Sequence, residues 1–214
     1  MNKIPLINPE IEKYAEEFSD SNKTILNQIK FDTSTKLRYS DMLSGNQVSG
    51  LLSLLIKISN AVNIAEIGVF TGFSTLMMAE SLPDHGKLYC LEMNKKYLDI
   101  ALPNLRQSAS YNKIHILEGN AREKINELPN NLDLFFLDAD KDYYATYYEV
   151  ILSKLKSGGI IIADNVFWHG GVLDAKKDRK SSAIHEFNEL VFSDKRVESV
   201  MLTVRDGISI IRKK

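Results

Sequence analysis

The fold of this chain is decided by two stretches, L-D-L-F-F-L-D-A-D-K at residues 132–141 and G-G-I-I-I-A-D-N-V at residues 158–166. Each is a short, nearly continuous apolar run, the pattern of a strand buried on both faces of a parallel sheet. Polar side chains follow each run: Asp138, Asp140 and Lys141 after the first, Asp164 and Asn165 after the second. If the strands are neighbours, Asp138, Asp164 and Asn165 emerge at the carboxyl edge of the sheet, where open α/β sheets bind ligands.

These strand ends carry the side chains of a candidate metal site. Three hard oxygen donors at one edge favour Mg²⁺ or Ca²⁺, and the absence of a Cys or His partner argues against zinc. Lys141 follows Asp138 by three residues and can face the same cleft. An Asp at a strand end is equally often the N-cap of the next helix, so for either strand alone both interpretations stay open. The Asp-Asn pair with a nearby lysine favours a site.

Composition bounds the class of protein. The chain has 214 residues, 44% hydrophobic and 26% charged, which is ordinary for one soluble globular domain. Its net charge of −1 gives no sign of a strong electrostatic footprint for nucleic acid. The single cysteine, Cys90, excludes an internal disulfide and lies in an apolar run. No apolar segment is long enough to span a bilayer and no signal-peptide core is present, which predicts a cytoplasmic protein.

The remaining pattern alternates strands with helices and ends in a hairpin. Strands are predicted at 63–69, 87–91 and 113–117, before the two stretches above. Helices are predicted at 9–30, 44–58, 73–82, 95–108, 123–128, 143–155 and 181–192, with Ser44 capping the second, and residues 31–42 are predicted as a loop over the cleft. Runs at 197–204 and 208–212 flank Asp-Gly, a strong hairpin signal. This order predicts an α/β fold with a parallel sheet and one antiparallel addition.

A glycine-rich connection, E-I-G-V-F-T-G-F-S-T at 66–75, links the first strand to a helix. Backbone N–H groups in such a turn favour a nucleotide-like ligand, although tight turns need glycine in any case. The dinucleotide spacing G-x-G-x-x-G is absent, which disfavours a nicotinamide dehydrogenase. Glu92 ends the second strand about 20 residues later, where an acid binds ribose hydroxyls, or else caps a helix or stays solvated.

Aromatic and histidine side chains offer weaker signals. Tyrosines at 143, 144, 147 and 148 have helical spacing, which indicates packing and surface positions. The loop at 167–180 contains Trp168 and His169, and we interpret His169 as a solvated loop residue rather than a catalytic base.

Seven motifs extend these signals over most of the chain. They are M-L-S-G-N-Q (42–47), E-I-G-V-F-T-G-F-S (66–74), L-E-M-N (91–94), L-D-A-D-K (137–141), A-D-N-V-F-W-H-G (163–170), A-I-H-E-F-N (183–188) and D-G-I-S-I (206–210). In this order and spacing, the chain resembles the cation-dependent O-methyltransferases, the class of catechol and caffeoyl-CoA O-methyltransferases that use S-adenosylmethionine (SAM).

The resemblance implies a fold and an assembly. The fold is the Rossmann-like class I methyltransferase fold: a seven-stranded, mostly parallel sheet with a C-terminal antiparallel β-hairpin and helices on both faces. The chain is expected to form one domain over 1–214, with a helical lid segment at 1–40, and to assemble as a homodimer.

The resemblance also assigns the site residues. Asp138, Asp164 and Asn165 match the ligands of Mg²⁺ or another divalent cation such as Mn²⁺ or Ca²⁺. The catalytic positions are Lys141 as general base, Asn165, and Asp206 as an acid that orients the acceptor. The positions that match cofactor-binding residues are Met42, Glu66, Gly68, Phe70, Ser74, Glu92, Met93, Ala121, Arg122, Asp138, Asp140 and Tyr147.

Two departures from the family pattern bear on the acceptor. His185 stands where the family's A-I-R-x-F-N motif has arginine. The loops around Tyr39 and Trp168 do not match those of the plant caffeoyl-CoA enzymes, which argues against bulky CoA thioesters.

The resemblance predicts Mg²⁺-dependent methylation of a catechol-like small molecule, a vicinal aromatic diol. One alternative keeps the chemistry and methylates 5-hydroxyuridine in tRNA, as some bacterial relatives do; the near-neutral charge disfavours it. Another is a SAM-binding module without turnover, which Lys141 beside three metal ligands argues against. No membrane partner is expected.

Overall fold

The structure is a computed structural model that describes residues 8–19, 24–38, 42–174, 176 and 178–214. It contains seven strands: β1 (Asn63–Ile67), β2 (Lys87–Glu92), β3 (Ile114–Glu118), β4 (Leu132–Leu137), β5 (Leu155–Asp164), β6 (Val197–Leu202) and β7 (Ile208–Lys213). They form one sheet of order β3-β2-β1-β4-β5-β7-β6, in which β7 is antiparallel to β5 and β6 at the edge is antiparallel to β7. The predicted seven-stranded methyltransferase-type sheet with its C-terminal hairpin is confirmed.

Helices alternate with the strands along the chain. They are α1 (Pro9–Glu17), α2 (Thr24–Lys36), α3 (Gly45–Ile58), α4 (Phe73–Ser81), α5 (Lys95–Leu105), α6 (Ala121–Lys124), α7 (Tyr144–Lys154) and α8 (Arg179–Ser193). Short 3-10 helices at Tyr111–Lys113, Ile125–Glu127, Lys141–Tyr143 and Gly171–Asp174 connect them. None of the helices in the described part of the chain has both the length and the apolar composition needed to cross a bilayer.

The chain divides into two compact units. One is Tyr14–Glu127, and the other combines Leu128–Lys214 with the described residues of Met1–Lys13. The expectation of a single domain therefore stays a prediction. So does the lid role of residues 1–40, of which 1–7, 20–23 and 39–40 lie outside the described residues.

In the unit Tyr14–Glu127, the parallel strands β1, β2 and β3 lie side by side. Ile67 at the end of β1 is in register with Leu91, and Glu92 with Glu118. The first seven residues of α4 are all buried, so this helix packs over its whole circumference. The turn between β1 and α4 is thereby anchored by a buried helix.

The other unit contains β4, β5 and the hairpin. β4 and β5 are parallel neighbours, with Leu137 in register with Ala163. β7 runs antiparallel to β5, and the loop between β6 and β7 spans residues 203–207, with Arg205 and Gly207 at positive φ. Asp-Gly did mark the turn, but the loop has five residues rather than the two of the tightest hairpins.

Three predictions at the N-terminal side were wrong. The region 9–30 forms two helices rather than one, and α2 continues to Lys36, so residues 31–36 are helical instead of a loop. Ser44 sits at the N-cap of α3 without a side-chain capping bond. The Glu16 carboxylate caps this helix instead, accepting hydrogen bonds from the backbone N–H groups of Asn46 and Gln47.

Strand β5 begins earlier than expected. Residues 156–159 were predicted as a helix exit but belong to the strand, whose pairing with β4 shifts register between Leu132 and Leu134. Gly158 has a φ of +78°, a conformation that favours glycine at such an irregularity.

Candidate active site

The turn after β1 is organised by the carboxylate of Glu66. This side chain is fully buried and accepts hydrogen bonds from the hydroxyls of Ser74 and Thr75, the latter at 2.6 Å. A buried carboxylate needs such donors, because desolvation without partners is costly. The structure thus joins two predicted cofactor residues, Glu66 and Ser74, and adds Thr75, which sequence reasoning missed.

Glycine at position 72 is dictated by space as well as by conformation. Gly72 has a φ of +92°, and a Cβ there would lie 3.2 Å from the side chain of Leu105. The side chain of Leu105, the last residue of α5, can pack this closely on the turn because residue 72 has no side chain.

Glu92, the predicted ribose-binding acid, is bound to the same turn. Its Oε2 accepts from the N–H groups of Val69 at 3.1 Å and Phe70 at 3.0 Å, and its Oε1 accepts from Asn94 N–H at 2.8 Å. A carboxylate offers about four acceptor positions, so these three bonds leave room for about one ligand hydroxyl. Glu92 can therefore fix the turn and still bind a ribose.

The other predicted cofactor residues of this unit differ in exposure and local contacts. Phe70 has a positive φ and packs edge-on against Tyr97, with 4.8 Å between ring centroids. Met93 follows β2 and Met42 precedes α3, and both are at least half exposed. Ala121 and Arg122 begin α6, whose N-cap Asn120 accepts a bond from Arg122 N–H.

Helix α2 contacts the turn through a pair of buried hydroxyls. Thr33 Oγ1 lies 2.8 Å from Thr71 Oγ1, and both side chains are inaccessible to solvent. This contact was missed because residues 31–42 were assigned to a loop. In a sequence, polar residues at helical spacing such as Thr33 do not indicate that the helix face is buried.

At the ends of β4 and β5, the structure brings the predicted metal ligands together. Leu137 of β4 and Ala163 of β5 are in register, and Asp138 and Asp164 are the residues that follow them. Both aspartates therefore lie at the same level of neighbouring strands. Lys141 Nζ donates to Asp138 Oδ1 at 2.8 Å. Asn165 follows with a φ of 58°, in the left-handed region.

Burial and the neighbouring charged groups shift the pKa values of Asp164 and Lys141. Burial, followed by repulsion from Asp138, raises the pKa of Asp164 well above its usual range, although Lys141 and Arg205 oppose the shift. Burial lowers the pKa of Lys141, but Asp138, Tyr144 and Asp164 outweigh this effect and raise it overall. The ammonium is thus held charged by two carboxylates that repel each other.

The donor set fits a hard divalent cation. Among the described residues, no group of three or more His, Cys, Asp or Glu side chains is arranged to hold a metal ion. A cation site here therefore needs the carboxamide oxygen of Asn165 beside the carboxylates of Asp138 and Asp164. Oxygen-only donors suit Mg²⁺, Mn²⁺ or Ca²⁺, and a dication would relieve the repulsion between the carboxylates.

Tyr144 links Lys141 to both strand ends. Its hydroxyl accepts from Lys141 Nζ at 2.6 Å and lies 2.9 Å from Asp164 O and 3.1 Å from Leu137 O. Burial raises the pKa of Tyr144, so the hydroxyl stays protonated. The sequence interpretation of this tyrosine as packing was incomplete; its position one helical turn after Lys141 was the available signal.

Asp206 fastens the loop that follows β5. Its Oδ1 accepts from His169 N–H at 2.6 Å, and His169 Nδ1 lies 3.3 Å from Oδ2. Asn165, Trp168, His169 and Arg205 all have positive φ, and such strain in non-glycine residues clusters at functional sites. The structure thus shows Asp206 positioning the loop; its role toward an acceptor stays a prediction. Tyr39, of the other acceptor loop, lies outside the described residues.

Three further residues named from the resemblance lie in the same unit. Asp140 is exposed and its Oδ1 accepts weakly from Asp142 N–H at 3.4 Å. Tyr147 is 4% exposed on α7, and His185 lies 3.4 Å from Glu189 one turn along α8. The cofactor roles of Asp140 and Tyr147 stay predictions.

Comparison with known proteins identifies the family of this chain. The family model described as O-methyltransferase matches residues 16–214. A probable caffeoyl-CoA O-methyltransferase of Dictyostelium discoideum is 34% identical, covering 96% of this chain and 93% of its own length. Caffeoyl-CoA O-methyltransferase 2 of Petunia hybrida is 36% identical, covering 76% and 72% respectively. Tricin synthase 2 of rice (Oryza sativa subsp. japonica) is 34% identical, and the match spans 82% of this chain but 64% of that protein.

Solved structures agree with the sequence relatives. An O-methyltransferase from Bacillus cereus in complex with SAH superposes with a TM-score of 0.87 at 27% identity, covering 96% of this chain and 97% of that one. An SAH-bound methyltransferase from Podospora anserina gives 0.88 at 26% identity and full coverage of both chains. With the matched family model over nearly its whole length, the chain belongs to the O-methyltransferase family.

Proposed function

We propose that this O-methyltransferase moves the methyl group of SAM to one hydroxyl of a catechol-like small molecule, with Mg²⁺ or a similar divalent cation at the ends of β4 and β5. The observation that carries the proposal is the placement of Asp138 and Asp164 at the same level of two neighbouring strands, with Lys141 bonded to the first. The caffeoyl group in the names of the relatives is itself a vicinal aromatic diol, which supports this acceptor class.

Asp138, Asp164 and Asn165 would hold the cation. Bound there, a hard dication would lower the pKa of a chelated hydroxyl and fix the orientation of the diol. Lys141 has a raised pKa while it neutralises Asp138 and Asp164. Engaging these carboxylates with a cation removes that stabilisation and adds like-charge repulsion, which moves the Lys141 amine toward the neutral form that a base requires.

The transfer itself is a displacement at carbon. The acceptor oxygen forms the new O–C bond as the C–S bond of the sulfonium breaks, and the electron pair of that bond stays on sulfur. The acceptor proton passes to Lys141 Nζ. Because the sulfonium is already an activated leaving group, the protein mainly positions the reactants.

The residues of the β1–α4 turn would bind SAM. Glu92 has acceptor capacity left for a ribose hydroxyl beside its three backbone bonds. Glu66 fixes the first turn of α4 through Ser74, and Glu92 accepts from the backbone N–H of Phe70. The turn with Gly68 and Phe70 would then bind the methionine part. The proposed surround of the adenine and of the methionyl group consists of Met93, Ala121, Arg122 and Met42.

A methyl-transfer assay tests the proposal. Purified protein and SAM carrying a labelled methyl group are incubated with a panel of catechols and, separately, with tRNA that contains 5-hydroxyuridine. We expect label on a catechol, its loss in EDTA and its return with excess Mg²⁺. Full activity in EDTA would refute the role of the cation. Label on tRNA alone would replace the catechol by the nucleic-acid acceptor.

We also propose that the protein acts as a homodimer. Several large apolar side chains of the unit Tyr14–Glu127 are exposed, and such side chains mark candidate interfaces. They include Tyr14, Phe18, Phe31, Leu54 and Ile58. Tyr14 and Phe18 stack on each other with 4.4 Å between ring centroids. The cytoplasmic location expected from the sequence remains a prediction.

A further inference from the structure

The hydroxyl of Tyr144 is the meeting point of three parts of the candidate site. It accepts a hydrogen bond from Lys141 Nζ at 2.6 Å. It also lies within hydrogen-bond distance of the carbonyl oxygens of Leu137 and Asp164, the last residues of β4 and β5. The side chain is fully buried, so no solvent competes for these bonds.

The hydrogen bond from Lys141 to Tyr144 restricts the orientation of the lysine amine. An ammonium group has three N–H donors in a tetrahedral arrangement. Asp138 Oδ1 takes one donor at 2.8 Å and the Tyr144 hydroxyl takes a second at 2.6 Å. Fixing two of the three positions fixes the direction of the third.

We propose that Tyr144 is a positioning residue that aims the remaining position of Lys141 Nζ at the methyl acceptor. This inference rests on the proposed function, in which that position receives the acceptor proton. With Asp138 alone, two of the three positions on Nζ are without a partner and either can turn toward the acceptor, whereas Asp138 and Tyr144 together leave a single position. Misplacing a reacting group by a small distance costs up to about 100-fold in rate.

The two carbonyl contacts fix the position of the Tyr144 hydroxyl relative to the proposed cation ligands. The hydroxyl can donate its single proton to Asp164 O or to Leu137 O, and each carbonyl directly precedes or belongs to a proposed ligand residue. One side chain therefore sets the base relative to both strand ends.

The chain supplies a matched control in Tyr148, one turn further along α7. Tyr148 is also buried and also packs edge-on against Phe187, and its hydroxyl bonds to Asp194 Oδ2 at 2.8 Å rather than to Lys141. Tyr144→Phe and Tyr148→Phe thus remove the same group from the same helix. A purely structural role predicts equal effects on activity.

The experiment compares kcat and KM for wild type, Tyr144→Phe, Tyr148→Phe, Lys141→Ala and the double variant Lys141→Ala/Tyr144→Phe, with melting curves for each. We expect Tyr144→Phe to lower kcat about ten- to hundredfold while KM for SAM stays within about threefold. Tyr148→Phe should keep kcat within about twofold. The double variant should match Lys141→Ala, because Tyr144 acts only through Lys141.

Two results would overturn the inference. One is a Tyr144→Phe variant with wild-type kcat while Lys141→Ala is inactive. The other is a further loss of kcat in the double variant beyond Lys141→Ala, which would show that Tyr144 acts by another route. Failure of the proposed function looks different, since Lys141→Ala itself would then retain wild-type kcat.

Discussion

Asp138 and Asp164 show how single residues acquire functional properties from their neighbours. Each is an ordinary strand-end aspartate by sequence, and either could have been a helix cap. In the structure they leave adjacent strands at the same level, and Asp164 is 3% exposed. Burial and repulsion from Asp138 raise the pKa of Asp164, so binding of a proton or a cation stabilises this carboxylate pair further than Lys141 and Arg205 do.

The first residue-scale prediction concerns Asp164→Ala. Removing one of two proposed carboxylate ligands should abolish tight Mg²⁺ binding and methyl transfer, while the SAM dissociation constant stays within about threefold. Isothermal titration with Mg²⁺ and with SAM measures the two affinities, and the methyl-transfer assay measures turnover. Asp174→Ala, an exposed aspartate of the same unit, is the control and should leave both values unchanged. Retained turnover in Asp164→Ala would remove this residue from the ligand set.

A second residue-scale prediction uses pH in EDTA-treated protein. The folded pKa of Asp164 lies above its unfolded value, so its ionisation destabilises the fold at high pH and protonation relieves this as pH falls through the folded pKa. The free energy of unfolding of wild type should therefore rise between pH 8 and pH 6 relative to Asp164→Asn, which cannot ionise. Urea titrations at several pH values measure this difference. Parallel curves for the two proteins would contradict the burial of an ionised Asp164.

At the scale of elements, helix α2 and the β1–α4 turn act together through Thr33 and Thr71. The same helix is tied to α5, because Asp32 Oδ2 accepts from Asn104 Nδ2 at 2.9 Å. Helix α2 therefore contacts both the turn, through Thr33, and α5, through Asp32. These polar contacts stabilise α2 although its sequence lacks a clear apolar face.

The element-scale prediction is that Thr33→Val weakens SAM binding. Loss of a buried hydroxyl pair costs about 1 kcal/mol, and if the turn alone bears this cost the SAM dissociation constant rises about fivefold. Thr35→Val is the control, since Thr35 is exposed and bonds within its own helix to Phe31 O. Equal SAM affinity in the two variants would mean that α2 does not support the turn.

The strands were predictable from the sequence and the second half of α2, residues 31–36, was not, for a physical reason. Runs such as Leu132–Leu137 are apolar on both faces, and burial on both faces is what the pattern records. Helix α2 is polar enough that its buried Thr33 and Asp32 resemble loop residues. Tyr144 was recognisable as helical and buried, but the partner of its hydroxyl depends on a contact that no periodicity encodes.

For the whole molecule, the mostly parallel seven-stranded sheet with its C-terminal hairpin and the family could be inferred from the motifs. The motifs that contain Glu92, Asp138 and Asp164 each lie at the end of a strand, so predicting the strands also predicted the placement of these three residues. The sequence left open how the carboxylates are neutralised, because the net charge of a site depends on distances across the fold. The structure supplies that balance: two carboxylates against the ammonium of Lys141, with Arg205 near Asp164.

The prediction at this scale is that the protein is a dimer in solution. Light scattering should give twice the chain mass of 24.2 kDa at micromolar concentration. Ile58→Glu should shift the mass toward the monomer by placing a charge among exposed apolar side chains, while Lys57→Glu on the neighbouring position should not. A wild-type monomer at these concentrations would rule the dimer out.

The most direct test of the account is the position of a cation in a crystal of the protein soaked with Mn²⁺. The anomalous signal of manganese locates the ion independently of any model of the site. We expect one strong peak within roughly 2.0–2.6 Å of oxygen atoms of Asp138, Asp164 and Asn165, the usual range for hard cations. A fully soaked crystal with no peak there, or with its only strong peak elsewhere, would contradict the proposed metal site.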